Sequence, residues 1–136
     1  MTPSRSMAWW ASTILSVLLG LLFIFTGSAK VLGSPMMLEQ FQNWGYPLWF
    51  ATLVGIIEVV GAVLLFIPAS RLFGCIALAV IMIGAIGTHV VNGEWVNAVV
   101  PLGILIALVW IGKRSGLQQA HRQMPPEPEL RTADNA

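Results

Sequence analysis

Four long runs of hydrophobic residues, separated by short polar breaks, dominate the pattern of this sequence. The runs cover residues 8–31, 48–67, 72–91 and 96–112. Each is close to the roughly 20 residues that an α-helix needs to cross the hydrocarbon core of a bilayer. The pattern therefore predicts four membrane-spanning helices joined by short connections, which is an all-α, integral membrane four-helix bundle.

Composition strengthens this prediction and excludes several classes of function. Of the 136 residues, 57% are hydrophobic and only 10% are charged, which is outside the range of soluble globular domains. The expected surroundings are therefore a lipid bilayer. The net charge of +1 provides no basic surface, so no nucleic-acid partner is expected.

The basic residues are divided unevenly between the two sides of the predicted bundle. Lys30 lies near one side, whereas the other side carries Arg5, Arg71, Lys113, Arg114, Arg122 and Arg131. Because basic residues accumulate on the cytoplasmic side, both termini are predicted to be cytoplasmic. The first run also has features of a signal peptide, but it exceeds the roughly 7 to 15 apolar residues typical of one, so a retained span is predicted.

Two segments outside the four runs have their own predictions. The connection GSPMMLEQFQNWGYP has hydrophobic residues at helical spacing, with Ser34 placed to cap a helix and Pro35 at its first position. A short amphipathic helix at the outer interface is predicted between helices 1 and 2, and an irregular loop is the alternative. After residue 112 the sequence becomes polar and proline-containing, so residues 1–112 are predicted to form the membrane domain and residues 113–136 a disordered cytoplasmic tail.

One carboxylate, Glu58, interrupts the apolar stretch GIIEVVGAVLLFIP. An acid at the centre of a spanning helix costs roughly 2.5 to 3.5 kcal/mol on insertion scales, so it is expected to face other helices and to find partners there. Gly55 and Gly61 share its helix face and would let another helix approach closely. Glu58 is therefore a candidate for ligand binding or proton exchange, and a buried structural acid is the alternative.

Lys30 and His89 are two further ionisable residues predicted to lie in the outer half of the bundle. Glu58 lies roughly 15 Å below the start of its helix, whereas Lys30 and His89 lie only about 3 Å below their helix ends. Direct contact between Lys30 and Glu58 is thus predicted to be marginal, and Lys30 would otherwise extend to the interface. His89 either hydrogen-bonds the following loop or takes part in a proton relay or ligand site.

Residue types that would hold a metal or carry electrons do not form a recognisable motif. Glu58, His89 and Glu94 lack the spacing of a metal site, so no metal is predicted, and Glu94 is expected to be a solvated loop acid. The single cysteine, Cys75, excludes an intrachain disulfide and is expected to pack as a small buried hydrophobe. Nucleotide-binding loops and haem motifs are likewise absent from the sequence, so no cofactor is predicted within the chain itself.

Four motifs together resemble the DoxX-like family of small four-helix membrane proteins. They are FIFTGSAKVLG, GYPLWF, GIIEVVGAVLLFIP and GAIGTHVVNGE, between residues 23 and 94. The resemblance implies a multi-pass protein of a bacterial or archaeal plasma membrane, with Lys30, Glu58 and His89 as its characteristic polar positions. Some relatives are small membrane subunits of quinone-linked oxidoreductases.

Three functional hypotheses follow. In the first, the protein is an accessory subunit of a redox system: its outer-half pocket binds a quinone, and a redox partner protein carries the electrons because this chain is not catalytic alone. In the second, it is a noncatalytic membrane module that anchors or assembles a partner. In the third, it transports a small solute as a homo-oligomer, because four helices leave little room for a pathway.

Overall fold

The fold is a bundle of α-helices, seen in a computed structural model that describes residues 5–124. The helices are α1 (Met7–Val31), α2 (Pro35–Asn43), α3 (Leu48–Phe66), α4 (Arg71–Val91) and α5 (Val99–Gln123). Within the described residues there is no β-strand. The predicted all-α fold class is thereby confirmed.

Four of these helices, α1, α3, α4 and α5, are long and apolar enough to span a membrane. Most of their large hydrophobic side chains point outward and are exposed, as in Phe25, Phe73 and Ile106. In a bilayer these side chains contact lipid, because a helix that is hydrophobic all round cannot face water. The chain is therefore a multi-pass integral membrane protein.

The spans pack in the order α1, α3, α4, α5, with α3 antiparallel to both of its neighbours. Gly27 of α1 and Gly55 of α3 bring the first two helices into backbone contact. A Cβ atom on Gly55 would lie 2.6 Å from the carbonyl oxygen of Gly27, and one on Gly27 would lie 2.8 Å from that of Gly55. Since no larger residue fits at this separation, the two glycines fix the relative height of α1 and α3.

The two ends of the bundle differ in how tightly they pack. We call the end with α2 and the α4–α5 connection the α2 end, and the opposite end the terminal end. The fully buried aliphatic side chains Leu65, Leu78, Leu108 and Ile111 lie toward the terminal end. Toward the α2 end, α4 and α5 instead carry glycines, Gly84 and Gly103, next to which no atom lies within 4 Å of a potential Cβ. The core is consequently dense at the terminal end and open at the α2 end.

The predicted short helix between the first two spans is present as α2, beginning at Pro35. Ser34 occupies the N-cap position, but its side chain makes no capping hydrogen bond. Both ends of the segment are set by glycines with positive φ, Gly33 at 73° and Gly45 at 81°. Each glycine closes the preceding helix with the paired hydrogen bonds of a Schellman motif. Phe41 is buried beneath α2 while Glu39 is exposed, so the helix is amphipathic as predicted.

The last helix differs from the prediction at both ends. It begins at Val99 because residues 95–98 form turns, and it continues eleven residues past Gly112 to Gln123. The predicted end of the last helix at residue 112 is wrong because this polar extension stays helical and packs against the α3–α4 connection. Ser115 is buried, and the Gln119 side-chain amide donates a 3.0 Å hydrogen bond to the carbonyl of Ala69. The remainder of the predicted tail, residues 125–136, lies outside the described residues.

Arg71, the first residue of α4, is buried at the terminal end. Its Nε atom donates a 3.0 Å hydrogen bond to the carbonyl of Leu65, and the hydroxyl of Ser70 donates to that of Leu64 at 3.3 Å. These carbonyls belong to the last turn of α3, where intrahelical donors run out and the helix dipole is negative. The buried guanidinium therefore acts as a cap for α3.

Candidate functional site

A cavity of about 570 Å³ lies inside the α2 end of the bundle. It is bounded by all four spans and covered by α2 and the segment that follows it. Most of its lining is apolar, including Phe23, Val54 and Met82. The polar side chains on its wall are Thr26, Lys30, Gln40, Tyr46, Glu58, Thr88 and His89, together with the indole of Trp44. All three residues singled out from the sequence therefore line the same cavity.

Glu58 and Lys30 form a buried ion pair on the cavity wall. The Nζ atom of Lys30 lies 2.8 Å from Oε2 of Glu58, and the relative exposures of the two residues are 9% and 3%. The hydroxyl of Thr26 donates a second, longer hydrogen bond of 3.3 Å to the same oxygen. Glu58 thus faces the bundle interior, as its insertion cost requires, and its charge is compensated there.

The direct contact decides a question that helix lengths had left marginal, whether Lys30 reaches Glu58. The two glycines place them one helical turn apart: Cβ of Lys30 would contact a Cβ on Gly55 at 2.8 Å, and Cβ of Glu58 would contact one on Gly27 at 3.0 Å. Side chains on an α-helix lean toward its N-terminus. Because α1 and α3 are antiparallel, Lys30 leans into the bundle while Glu58 leans toward the α2 end, and the two charged groups meet.

His89, in the last turn of α4, lies on the opposite side of the cavity and joins the α4–α5 connection rather than Glu58. Its Nδ1 atom lies 2.7 Å from Oε2 of Glu94. Gly93, with a φ of 76°, reverses the chain so that the backbone N–H of Glu94 bonds to the carbonyl of His89. This Schellman turn brings the two side chains together. The interpretation of His89 as a histidine hydrogen-bonded to the following loop is the one that the geometry favours.

Glu94 lies in the α4–α5 connection with 35% of its side chain exposed, as predicted for a solvated loop acid, but it is also organised by several hydrogen bonds. Besides His89, it accepts hydrogen bonds from the indole of Trp44 at 3.3 Å and from the amide of Asn97 at 3.4 Å. These hydrogen bonds, led by that of His89, lower the pKa of the Glu94 carboxyl below its ordinary value. Glu94 thereby links the segment that covers the cavity to the α4–α5 connection.

Two aromatic residues of the cover, Trp44 and Tyr46, were not identified as site residues from the sequence. The Trp44 ring packs edge-on against the His89 ring, with centroids 5.1 Å apart. The hydroxyl of Tyr46 lies 2.8 Å from that of Thr88, which itself donates to the carbonyl of Gly84. Tyr46 must therefore be the donor to Thr88. The signal in the sequence was the aromatic content of FQNWGYPLWF, but tryptophan at a predicted interface indicates membrane anchoring equally well.

The hydrogen bonds at the cavity wall leave a few polar atoms without partners among the described residues. They are Oε1 of Glu58, two of the three N–H groups of Lys30, Nε2 of His89 and the side-chain amide of Gln40. Within residues 5–124, no three side chains of the His, Cys, Asp and Glu types cluster closely enough to hold a metal ion. The wall is therefore suited to an organic molecule that is mostly apolar and carries a small polar head.

Comparison with known proteins identifies relatives of this chain. The sequence profile described as the DoxX-like family matches residues 14–112, a region that contains the whole cavity lining. A curated relative, "Uncharacterized protein YdgD" of Bacillus subtilis (strain 168), is 28% identical over 102 residues, which cover 72% of this chain and 89% of the relative. No solved structure matches the chain.

Proposed function

This chain belongs to the DoxX-like family, and on that premise we propose that it is an accessory membrane subunit of a quinone-linked redox system whose cavity binds the quinone ring. The observation that carries the proposal is the buried Lys30–Glu58 pair on the wall of an otherwise apolar cavity. Apolar walls accept the ring, and a few fixed polar groups orient its oxygen atoms. The proposed location is the plasma membrane of a bacterium or archaeon, which the Bacillus relative supports.

The size and placement of the cavity agree with such a ligand. Its volume of about 570 Å³ is within the roughly 300 to 1,000 Å³ of small-molecule sites. It lies between membrane-spanning helices, where an apolar molecule dissolved in the bilayer is concentrated. A quinone ring fits this environment, and an attached isoprenoid tail would remain in lipid.

The chemistry that this chain contributes is binding and orientation of the ring. Lys30 holds N–H groups ready for an oxygen atom of the ligand, whereas the hydrogens of Tyr46 and Thr88 are already engaged. Interconversion of quinone and quinol takes two electrons and two protons per ring. In this proposal the electrons pass through a partner protein that docks on the same membrane.

The test uses two leucine substitutions on one face of α4. Gly84 lines the cavity, Gly87 does not, and neither position has an atom within 4 Å of a potential Cβ. Gly84→Leu is expected to fill the cavity and remove bound quinone, while Gly87→Leu retains it. Both variants and the wild type are purified from their native membrane in mild detergent, and the extracted lipids are assayed for quinone by liquid chromatography and mass spectrometry.

The same preparations test the alternative functions. Absence of quinone from the wild type, combined with a stoichiometric protein partner, would reject ligand binding and identify an anchoring or assembly module. Equal quinone in all three preparations would show that the ligand binds outside the cavity, and the proposed site would be wrong.

A further inference from the structure

We infer that the cavity selects the hydroxyl form of the ring, a quinol or a related phenol, over the carbonyl form, because Glu58 leaves an acceptor open beside the unused N–H groups of Lys30, and only a hydroxyl group pairs with both. This inference rests on the proposed function, since it assumes that the ring occupies this cavity. It adds the chemical class of the preferred ligand and the residues that recognise it.

Glu58 provides the first open acceptor. Its Oε2 atom receives the hydrogen bonds of both Lys30 and Thr26, whereas Oε1 accepts none from the described residues. Glu58 is only 3% exposed, and it lines the cavity. Oε1 is not one of the fully buried atoms without a partner in the described part of the chain, so it opens into the cavity, and a ligand that displaces water from it must supply a donor.

In its neutral form, His89 provides a second open acceptor, on another wall. A carboxylate only accepts hydrogen bonds, so in the neutral imidazole the proton lies on Nδ1, which faces Glu94. Nε2 is then a lone-pair acceptor, and no described residue donates to it. A second hydroxyl group on the ring is a donor of the kind that this acceptor pairs with.

Lys30 explains why a hydroxyl suits the first acceptor better than other donors. Its ammonium lies 2.8 Å from Glu58 and keeps two N–H groups unused. A ligand hydroxyl placed beside the pair accepts one hydrogen bond from Lys30 and donates one to Oε1 of Glu58. A quinone carbonyl satisfies Lys30 alone and leaves Oε1 without a donor, and so does a methyl ether. Sites built around an O–H group discriminate against analogues that lack it for this reason.

The experiment compares three ligands that share one ring: tetramethylhydroquinone, tetramethylbenzoquinone and the dimethyl ether of the hydroquinone. Their binding to the full chain in lipid nanodiscs is measured by isothermal titration calorimetry under argon. The hydroquinone is expected to bind at least about tenfold more tightly than the other two, the effect of one unsatisfied buried acceptor.

Two variants connect the preference to Glu58. In Glu58→Gln, the amide oxygen takes the place of Oε2 toward Lys30 and Thr26, so the NH₂ group replaces the open acceptor with a donor. The hydroquinone preference is expected to vanish or to reverse in favour of the quinone. Glu39→Gln, which removes an exposed carboxylate from α2 outside the cavity lining, is expected to leave it unchanged.

The outcomes separate this inference from the proposed function. Equal or tighter saturable binding of the quinone by the wild type would overturn the preference for hydroxyl groups and leave quinone binding intact. A hydroquinone preference that persists in Glu58→Gln would overturn the assignment to Glu58. If none of the three ligands binds saturably, the ring is not a ligand of this cavity, and the proposed function fails together with the inference. The wild-type comparison decides the matter even if Glu58→Gln does not fold.

Discussion

Replacing one member of the Lys30–Glu58 pair is expected to destabilise the protein far more than replacing both. The variants are Lys30→Met, Glu58→Met and the double variant, since methionine approximates the length of both side chains without a charge. Each single variant leaves one charged group among apolar side chains of the cavity wall, whereas the double variant leaves none.

The expected magnitudes follow from the partners that each charge retains. In Lys30→Met, the Glu58 carboxylate keeps only the 3.3 Å hydrogen bond of Thr26, and loss of a buried partner costs about 3–5 kcal/mol. In Glu58→Met, Lys30 is the second-to-last residue of α1, and its ammonium can extend to the α2 end, so a smaller cost of about 1–3 kcal/mol is expected. The double variant is expected within about 1 kcal/mol of the wild type, because apolar replacement of a buried pair is often neutral.

Reversible unfolding in mixed micelles of dodecyl sulfate and a mild detergent, followed by circular dichroism, measures these free energies. The coupling energy of the pair is expected to be about 3 kcal/mol or more. A matched cycle of Lys30→Met with Glu39→Met, which removes an exposed carboxylate, is expected to be additive within about 0.5 kcal/mol. Additivity in the Lys30–Glu58 cycle would refute the conclusion that these two charges compensate each other.

Three further predictions concern packing, pH and the last helix. Gly55→Ala places a Cβ 2.6 Å from the Gly27 carbonyl oxygen and is expected to lower the free energy of unfolding by about 1–3 kcal/mol. Gly103→Ala, at a position with no atom within 4 Å of the new Cβ, is expected to leave it unchanged. Equal effects of the two substitutions in the same assay would contradict the close approach of α1 and α3. The pKa of Glu94 is lowered mainly by its hydrogen bond with His89, so its stabilisation is present above the ordinary carboxyl pKa and lost as pH falls through the lower folded pKa. Thermal melts at a series of acid pH values should show this loss of stability in the wild type and not in Glu94→Gln. Parallel plots of melting temperature against pH for the two proteins would disprove the contribution of Glu94. Gln119→Ala removes a side-chain hydrogen bond to Ala69 and is expected to cost about 0.5–1.5 kcal/mol, with Gln118→Ala, at an exposed position, as the neutral control.

The spans and the short helix were predictable from the sequence because each depends on local chemistry. Twenty apolar residues without water must form a helix, since only a helix satisfies their backbone groups within the segment. Three of the four predicted spans agree with the structure to within one residue at each end. The helix α2 was equally local, because Pro35 and Gly45 mark its start and end whatever surrounds it.

The end of α5 was not predictable in this way. The change from apolar to polar residues after Gly112 was correctly located, but it marks where the chain no longer needs lipid rather than where the helix stops. Gly112 does not close the helix but packs against Cys75, whose Cβ atom would lie 3.4 Å from a Cβ on Gly112. Whether a polar segment stays helical depends on what it can pack against, in this case the carbonyl of Ala69 on another connection.

The contact between Lys30 and Glu58 was also not predictable from the local sequence, because it depends on how two helices pack. Counting residues from the helix ends separates Lys30 from Glu58 by about 12 Å in depth, yet the helix ends are not level, because α1 and α3 align where Gly27 meets Gly55. From that contact the two side chains are one turn apart and lean toward each other. The same reasoning applies to His89, whose partner is fixed by the turn at Gly93 and not by the depth of Glu58. In an antiparallel pair of spans, two glycines that pack against each other therefore fix the relative height of the helices. Where an opposite charge follows each glycine by three residues, this packing indicates contact between the two charges better than the helix boundaries do.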